Sequence, residues 1–542
     1  MSKEVKSFLL FLIFIIQIKS QPDPRFRPFD WVIFKGSGKI NSITEGFTFS
    51  YVATSMGGIK RFNLFGNYFD EPITTAQGLK DNFISAVHFD KVTGFLWAAS
   101  PNYLQYSFSR EGDWYSVNLE NLGLSKYDRI QRVGSSEKFV WLHARSSYVK
   151  VDHSSGLLIG IYPNPDEFEI EWSSGPYTGE KTLSEILGNY NIIDGWIFNG
   201  NELIDRLGRR TSISTGYIGN HGNIFFGDDD GNIFHGTKTM ESFSIIPDHI
   251  INTDVQSLFH SDDVLYIGSL DFFNSKGISE YNLSSSSSIY FSFEETINMT
   301  PTPLYSLIHY DNELWAGGDG ILLYHNQKSD YWRTLDQSFG IPSGKIFDLY
   351  ANSSHIWIGS SRGLTRISNT TLREEPIGIE NIFQNLSIFD IDSIDNSLWI
   401  ATQAGVFMYS NIHSQLMQMS DIGRKNFPEP VRNVVSIDCF EEEVYIASNI
   451  GIVRYDIEAR EWDLLFPSGI YRNQNLFSLK VHEKFIFLGL DNGLIKINKR
   501  TGSISDYEFS FIGRVNDIIV DGKEIWLGTS NGLIKFLWKR HL

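Results

Sequence analysis

The sequence predicts an all-β fold made of repeated four-stranded antiparallel sheets, and three features carry that reading. An aromatic, an aliphatic and a tiny residue, followed by a short turn and a glycine, recur about every 42 residues. The signature stands as Trp315-Ala316-Gly317 with Gly320, Trp357-Ile358-Gly359 with Gly363, Trp399-Ile400-Ala401 with Gly405, and Trp526-Leu527-Gly528 with Gly532. Around each copy, short β-branched and aromatic runs alternate with Gly, Asn, Asp and Ser clusters, the pattern of strands joined by hairpins. The chain is also rich in large apolar side chains, with 42% hydrophobic and 14% aromatic residues over 542 positions, which supplies a core for many small sheets.

Residues 1–20 read as a secretory signal peptide. Lys3 and Lys6 open a positive start, Phe8 to Ile18 is an apolar run broken by Gln17, and Lys19-Ser20-Gln21 offers a small residue at a cleavage point. The run is short for a membrane span, and an uncleaved anchor is the alternative. No second apolar segment long enough to cross a bilayer follows. Residues 21–29 form a linker. Trp31-Val32-Ile33-Phe34 resembles an outer strand able to complete a sheet whose other strands lie later in the chain.

The unit from Lys345 to Leu372 shows the repeat most clearly. Ile346–Tyr350 is a first strand, Ile356–Gly359 a second and Leu364–Ile367 a third, and Tyr331–Leu335 in the preceding unit is a fourth, outer strand. Four antiparallel strands per repeat of about 40–45 residues form the blade of a β-propeller. The second-strand aromatics (Tyr51, Trp97, Trp141, Phe225, Tyr266, Trp315, Trp357, Trp399, Tyr445, Phe487 and Trp526) are expected to wedge between neighbouring blades, where large rings bury most area. The residue two places on is small so that the next blade can approach. The turn glycine is expected at positive φ. A Ser or Asp on the first strand, as at Ser306, Asp348, Asp390, Ser436, Ser478 and Asp517, is expected to line the central channel and bond to neighbouring backbone.

The interval between Trp141 and Phe225 is double the others, so a degenerate unit is expected within it, at Ile192 to Leu203 around Trp196. That makes about twelve blades, beyond one ring of four to eight. Two propellers are therefore predicted, at 30–285 and 304–542, with a Ser/Thr/Pro-rich seam and strand at 286–303. Six plus six blades is the favoured division and seven plus five the alternative.

Composition bounds the function. A net charge of −18 disfavours nucleic acid and anionic membranes as partners, because both need a positive field. The single cysteine, Cys439, excludes an intrachain disulfide, and its place in Ile437-Asp438-Cys439-Phe440 reads as a structural thiol. No cofactor motif, metal-ligand spacing or nucleophile elbow is present. Gly227-Asp228-Asp229-Asp230-Gly231 lacks the spacing of a calcium loop and reads as a tight turn. His143, where other repeats carry Gly or Ala, reads as an inter-blade histidine.

The repeats resemble the two-component regulator propeller family. Leu314-Trp315-Ala316-Gly317-Gly318-Asp319-Gly320-Ile321 and Ile525-Trp526-Leu527-Gly528-Thr529-Ser530-Asn531-Gly532-Leu533 carry the resemblance. It implies an exported sensory or surface protein, periplasmic or extracellular, with a glycan or protein as ligand, and it transfers no catalytic residue. The expected binding site is one mouth of the channel, where the residue opening each first strand is basic or an amide: Lys39, Asn82, Arg129, Lys345, Asn433, Asn475 and Arg514, with Tyr127 and Tyr471 placed to stack on sugars. These groups suit an anionic or hydroxyl-rich ligand. A carbohydrate lyase or hydrolase and a secretion or surface-assembly component are the alternative readings.

Overall fold

The computed structural model describes residues 23, 25–125, 127–200, 202–248, 250–269, 277–423 and 431–541; the leader at 1–20 lies outside them. The protein is an all-β propeller protein of antiparallel sheets. Its chain divides into two compact units, Met1–His249 and Ile250–Leu542.

The first unit holds four sheets. Three begin at Ile40–Glu45, Ala86–Phe89 and Ile130–Ser135, and the fourth is built on Arg210–Ile218. Each of these strands is followed by three antiparallel partners, in the order inner to outer. The region expected to form a degenerate blade does not. Ile197–Asn199 and Glu202–Ile204 make a small hairpin that pairs onto Arg210–Ser212 and so extends the fourth sheet. Two three-residue strands bury too little apolar surface to hold a sheet of their own.

The remaining length of that interval takes another path. After the outer strand Leu158–Tyr162, the chain returns to the inner edge of the third sheet as Glu171–Trp172. It then runs between the inner strands. Ser173 N donates to Val133 O at 2.9 Å, Ser174 N to Ile43 O at 2.9 Å, and Pro176 bridges Thr215. Ser174 Oγ accepts from Ile43 N at 2.6 Å and from Thr215 Oγ1 at 2.7 Å. One segment thus ties the third, first and fourth sheets together and occupies their common axis.

The second unit holds seven sheets, with inner strands Val255–Ser261, Ser306–Tyr310, Ile346–Ala351, Ile388–Ile394, Ser436–Phe440, Leu476–His482 and Val515–Asp521. Each packs beside the next, and the last packs beside the first. The closing contact is direct. Asn516 Nδ2 donates to Val255 O and Leu258 N donates to Asp517 Oδ2, both at 2.8 Å.

Among the described residues the sheets therefore divide four and seven, where six and six was expected. The boundary between units lies ahead of the serine-rich stretch. That stretch supplies Ser287–Ser292, the outer strand of the first sheet in the second unit. An outer strand faces solvent on its free side, so a serine run is as acceptable there as in a linker.

The repeat positions do what their chemistry suggests. Trp97, Trp141, Trp315, Trp357 and Phe487 are fully buried. Trp357 packs on Tyr409 of the next sheet at 5.5 Å between ring centres, Trp399 on Tyr455 at 5.5 Å, and Trp526 on Tyr281 of the first sheet at 5.6 Å. The small residue two places on keeps the gap closed. A Cβ on Gly359 would stand 2.8 Å from Ile388 Cγ2 of the next sheet, and one on Gly528 3.1 Å from Val255 Cγ1. Gly493, at φ 147°, is required by its turn, because a Cβ there would strike the carbonyl oxygen of Tyr507.

Candidate functional site

The first-strand Ser and Asp residues of the second unit bond to the neighbouring sheet. Ser306 Oγ donates to Ile346 O at 3.2 Å, and Ser478 Oγ to Val515 O at 3.3 Å. Asp348 accepts from Ile391 N at 2.7 Å, and Asp390 from Ser436 Oγ at 2.7 Å and Ile437 N at 2.8 Å. Two residues further along their strands, on the same face, Asp392 accepts from Cys439 N at 2.7 Å, and Asp438 accepts from Val481 N at 2.5 Å and Lys480 Nζ at 2.6 Å. Each carboxylate thereby satisfies a backbone N–H that the adjoining sheet leaves open.

These carboxyls are crowded and buried, and they hold protons tightly. Burial and the neighbouring Asp390 carboxyl push Asp348 well above the ordinary range. Burial raises Asp390, Asp392 and Asp517 to about 6. Burial pulls Lys480 down, but Asp438 and then Asp392 outweigh it and hold the ammonium charged. Burial followed by Asp392 pushes the Cys439 thiol up, which disfavours the nucleophilic thiolate.

One residue ahead of each of these Ser or Asp positions sits a side chain that the sequence reading passed over. In five of the seven inner strands it is a β-bulge, as at Phe347, where the register steps from Ile346↔Ser360 to Asp348↔Gly359. The others are Gln256, Phe389, Phe477 and Asn516. Tyr305 and Val435 hold the same offset. A bulge frees a residue from the ladder and re-aims its side chain. Tyr305 and Phe347 lie 6.3 Å apart and Phe347 and Phe389 5.6 Å apart, so three consecutive sheets present an aromatic arc of half-buried rings. Periodicity misses these positions because their chemistry varies from repeat to repeat; a fixed offset from the Ser/Asp position is the signal that finds them.

The nine residues expected at a single mouth fall into two groups. In the second unit, Lys345 Nζ lies 5.2 Å from the Tyr305 ring, and the Arg514 guanidinium 5.3 Å from Phe477. Arg514 Nε donates to Asn516 Oδ1 at 2.7 Å. These two cations lie beside rings that stand one residue ahead of the Ser306 and Ser478 positions. Asn433 and Asn475 are exposed, and their main chains are fixed: Asn433 N donates to Gln403 O at 3.0 Å and Asn475 N to Asp491 Oδ2 at 2.7 Å. Tyr471 is not available for stacking. It is buried, and its hydroxyl donates to Ser448 O at 3.1 Å.

In the first unit, Lys39 pairs with Asp229 at 2.6 Å, and Asn82 Oδ1 accepts from Thr75 N at 2.9 Å. Arg129 donates to Asn41 Oδ1 at 2.9 Å and lies over Phe83 at 4.6 Å. Tyr127 is 77% exposed. The Asp228 turn closes on itself, with Asp228 accepting from Asp230 N at 3.0 Å and Asn232 N at 2.7 Å. His143 stacks on Tyr148 of its own sheet at 4.5 Å, so it is an intra-sheet contact and not an inter-blade one. Among the described residues, no three His, Cys, Asp or Glu side chains converge as metal ligands.

No protein-family model matches the chain. It is similar to "Histidine kinase P4" of Formosa agariphila, at 28% identity over 268 aligned residues that cover 44% of this chain; the match spans 19% of that kinase, about a fifth of its length. Among solved structures, the extracellular domain of a putative one-component system of B. thetaiotaomicron aligns with 12% identity and a TM-score of 0.44, covering 91% of this chain and 75% of that one. The extracellular domain of a putative hybrid two-component system of the same organism aligns with 14% identity and a TM-score of 0.42, covering 90% and 73%. The WD40 propeller domain of Doa1 aligns with 14% identity and a TM-score of 0.39, covering 52% and 92%. The propeller assignment itself rests on the sheet order and ring closure described above. No helix among the described residues is long and apolar enough to cross a membrane.

Proposed function

We propose that the protein is an exported, non-catalytic binding module of a sensory or surface system, of the two-component regulator propeller type, and that its ligand engages the entrance to the inner strands of the second unit. The arc of Tyr305, Phe347 and Phe389, with Lys345 beside it and Arg514 over Phe477, carries the reading. Flat rings offer stacking faces to sugars, and flanking cations offer charge-assisted bonds to carboxylates or sulfates. An acidic oligosaccharide is the ligand class that fits both. Titration calorimetry against a panel of acidic and neutral oligosaccharides tests it. Phe347→Ala is expected to weaken binding of an acidic member by roughly tenfold, and Lys345→Ala by a smaller, salt-sensitive factor. Equal binding of neutral and acidic members, or none at all, would count against it.

The buried aspartates favour a second reading, a carbohydrate-cleaving enzyme, because paired carboxyls with raised proton affinity are the equipment of acid–base catalysis. Their oxygens, however, already hold the backbone of the adjoining strands. Release of reducing or unsaturated ends from a polysaccharide, abolished by Asp390→Asn in a protein of unchanged stability, would establish the enzyme and displace the binding module.

A further inference from the structure

In an antiparallel sheet, the turns joining first to second and third to fourth strands lie at the same end, opposite the entrance to the inner strand. Six of the eight such turns in the first unit carry a large apolar side chain pointing into solvent. They are Phe47, Phe65, Val92, Phe108, Leu157 and Met240, each at least 60% exposed. The corresponding turns of the second unit carry Asp262-Asp263, Asp311-Asn312, Asp395-Asn396, Glu441-Glu442 and Glu483-Lys484, with Ile412 as the exposed large apolar residue. The two units share one repeat chemistry, so the second is an internal control for the first. Fold requirements ask for nothing apolar at these tips.

The manner of exposure narrows the partner. The apolar groups stand about one to a turn, separated by Gly, Ser, Thr and Asn, and two of the rings are braced on their inner side, Phe47 against Phe89 at 5.1 Å and Phe108 against Phe95 at 5.8 Å. Discrete protrusions of this kind reach between lipid headgroups, where aromatic rings are well accommodated. The same turns are close to charge balance, Lys91, Arg110, Lys138 and Lys238 standing among Asp90, Glu111, Asp113, Glu137 and Glu241. The acidic turns lie in the other unit. The apolar stretch beginning at Phe8, outside the described residues, reads as an export leader, and export would place the folded chain in a compartment bounded by a bilayer. We infer that the turn face of the first unit rests on a phospholipid bilayer with zwitterionic headgroups, with these tips inserted into its interface.

Flotation of the full chain with phosphatidylcholine vesicles tests this. The wild-type protein is expected to float with the vesicles, and raising salt from about 0.1 to about 0.5 M is expected to leave the fraction bound unchanged, because the face is charge-balanced. The triple substitution Phe47→Ser, Phe65→Ser and Phe108→Ser should lower partitioning at least roughly tenfold, in proportion to the apolar area withdrawn. Ile412→Ser should not change it. The thermal transition of the triple variant, matched to wild type, shows that the fold is retained, and surface exposure at all three sites makes that the expected result. Three results would each overturn the inference: wild type left in the lipid-free fraction, the triple variant floating as wild type does because the leader alone binds, or a wild-type dimer that the triple variant dissolves, which would assign the face to a second copy of this chain. Flotation is independent of the saccharide titrations, so either reading can fail alone.

Discussion

A tryptophan in these repeats acts as a spacer. Trp357 is fully buried between two sheets, and its indole Nε1 has no acceptor. Its value is therefore area and shape, not a hydrogen bond. Trp357→Phe is expected to cost about 1–2 kcal/mol and Trp357→Ala about 3–5 kcal/mol in chemical denaturation, the second including the cavity left behind. Gly359 works in the opposite sense. A valine there would push on Ile388, and overpacking of that kind costs about 1–3 kcal/mol. A Gly359→Val protein as stable as wild type would show that the sheets are not as close as described. These positions were readable in the sequence because their chemistry is dictated by one repeated contact. The bulge residues beside them were not, because no repeated contact dictates Gln256, Phe347 or Asn516.

At the scale of the strand, the inner strands of the second unit are joined by carboxyls that prefer their protons. Asp390, Asp392 and Asp517, at about 6, stand above the ordinary value of 3.8 for an unfolded aspartate. The folded state thus binds protons that the unfolded state releases. The stability these groups contribute is complete below about pH 4 and is lost as pH rises through about 6. The melting temperature of the second unit is expected to be higher at pH 5 than at pH 8. Asp390→Asn keeps an acceptor for Ile437 N and removes the charge, so it should flatten that dependence. A steeper dependence in the variant would contradict the assignment.

The axial segment of the first unit makes a second prediction at this scale. Ser174→Ala leaves Ile43 N without its side-chain acceptor in a buried place, a loss of about 1–3 kcal/mol. Neither this segment nor the four-sheet count was visible in the sequence. The chain between Trp141 and Phe225 carries no repeat signature, and the absence of a pattern could not say whether it held a weak sheet or something else. The strands themselves and the turn glycines were visible, since each follows from local spacing.

For the whole molecule, stability rests on packing. A single cysteine permits no internal disulfide, so the melting temperature is expected to be unchanged by dithiothreitol, and Cys439, half-buried with its thiol pushed up by burial, should react with a thiol reagent more slowly in the folded protein than after unfolding. Charge and apolarity are also unevenly divided. Most of the large apolar side chains that face solvent among the described residues belong to the first unit, while acidic turns recur through the second. A composition averaged over the chain, such as a net charge of −18, conceals this.

The bulged offset has a further consequence. Ring closure is carried by Ser and Asp, by the wedged aromatics, by the tiny residues behind them and, at the seam, by Asn516; elsewhere the position just ahead of the Ser or Asp is released from these duties. Six addresses, 256, 305, 347, 389, 435 and 477, can therefore mutate with little effect on architecture, so descendants of one such ring can diverge in taste while keeping the same frame, and a library randomised at these six alone would sample new recognition without re-solving the folding problem.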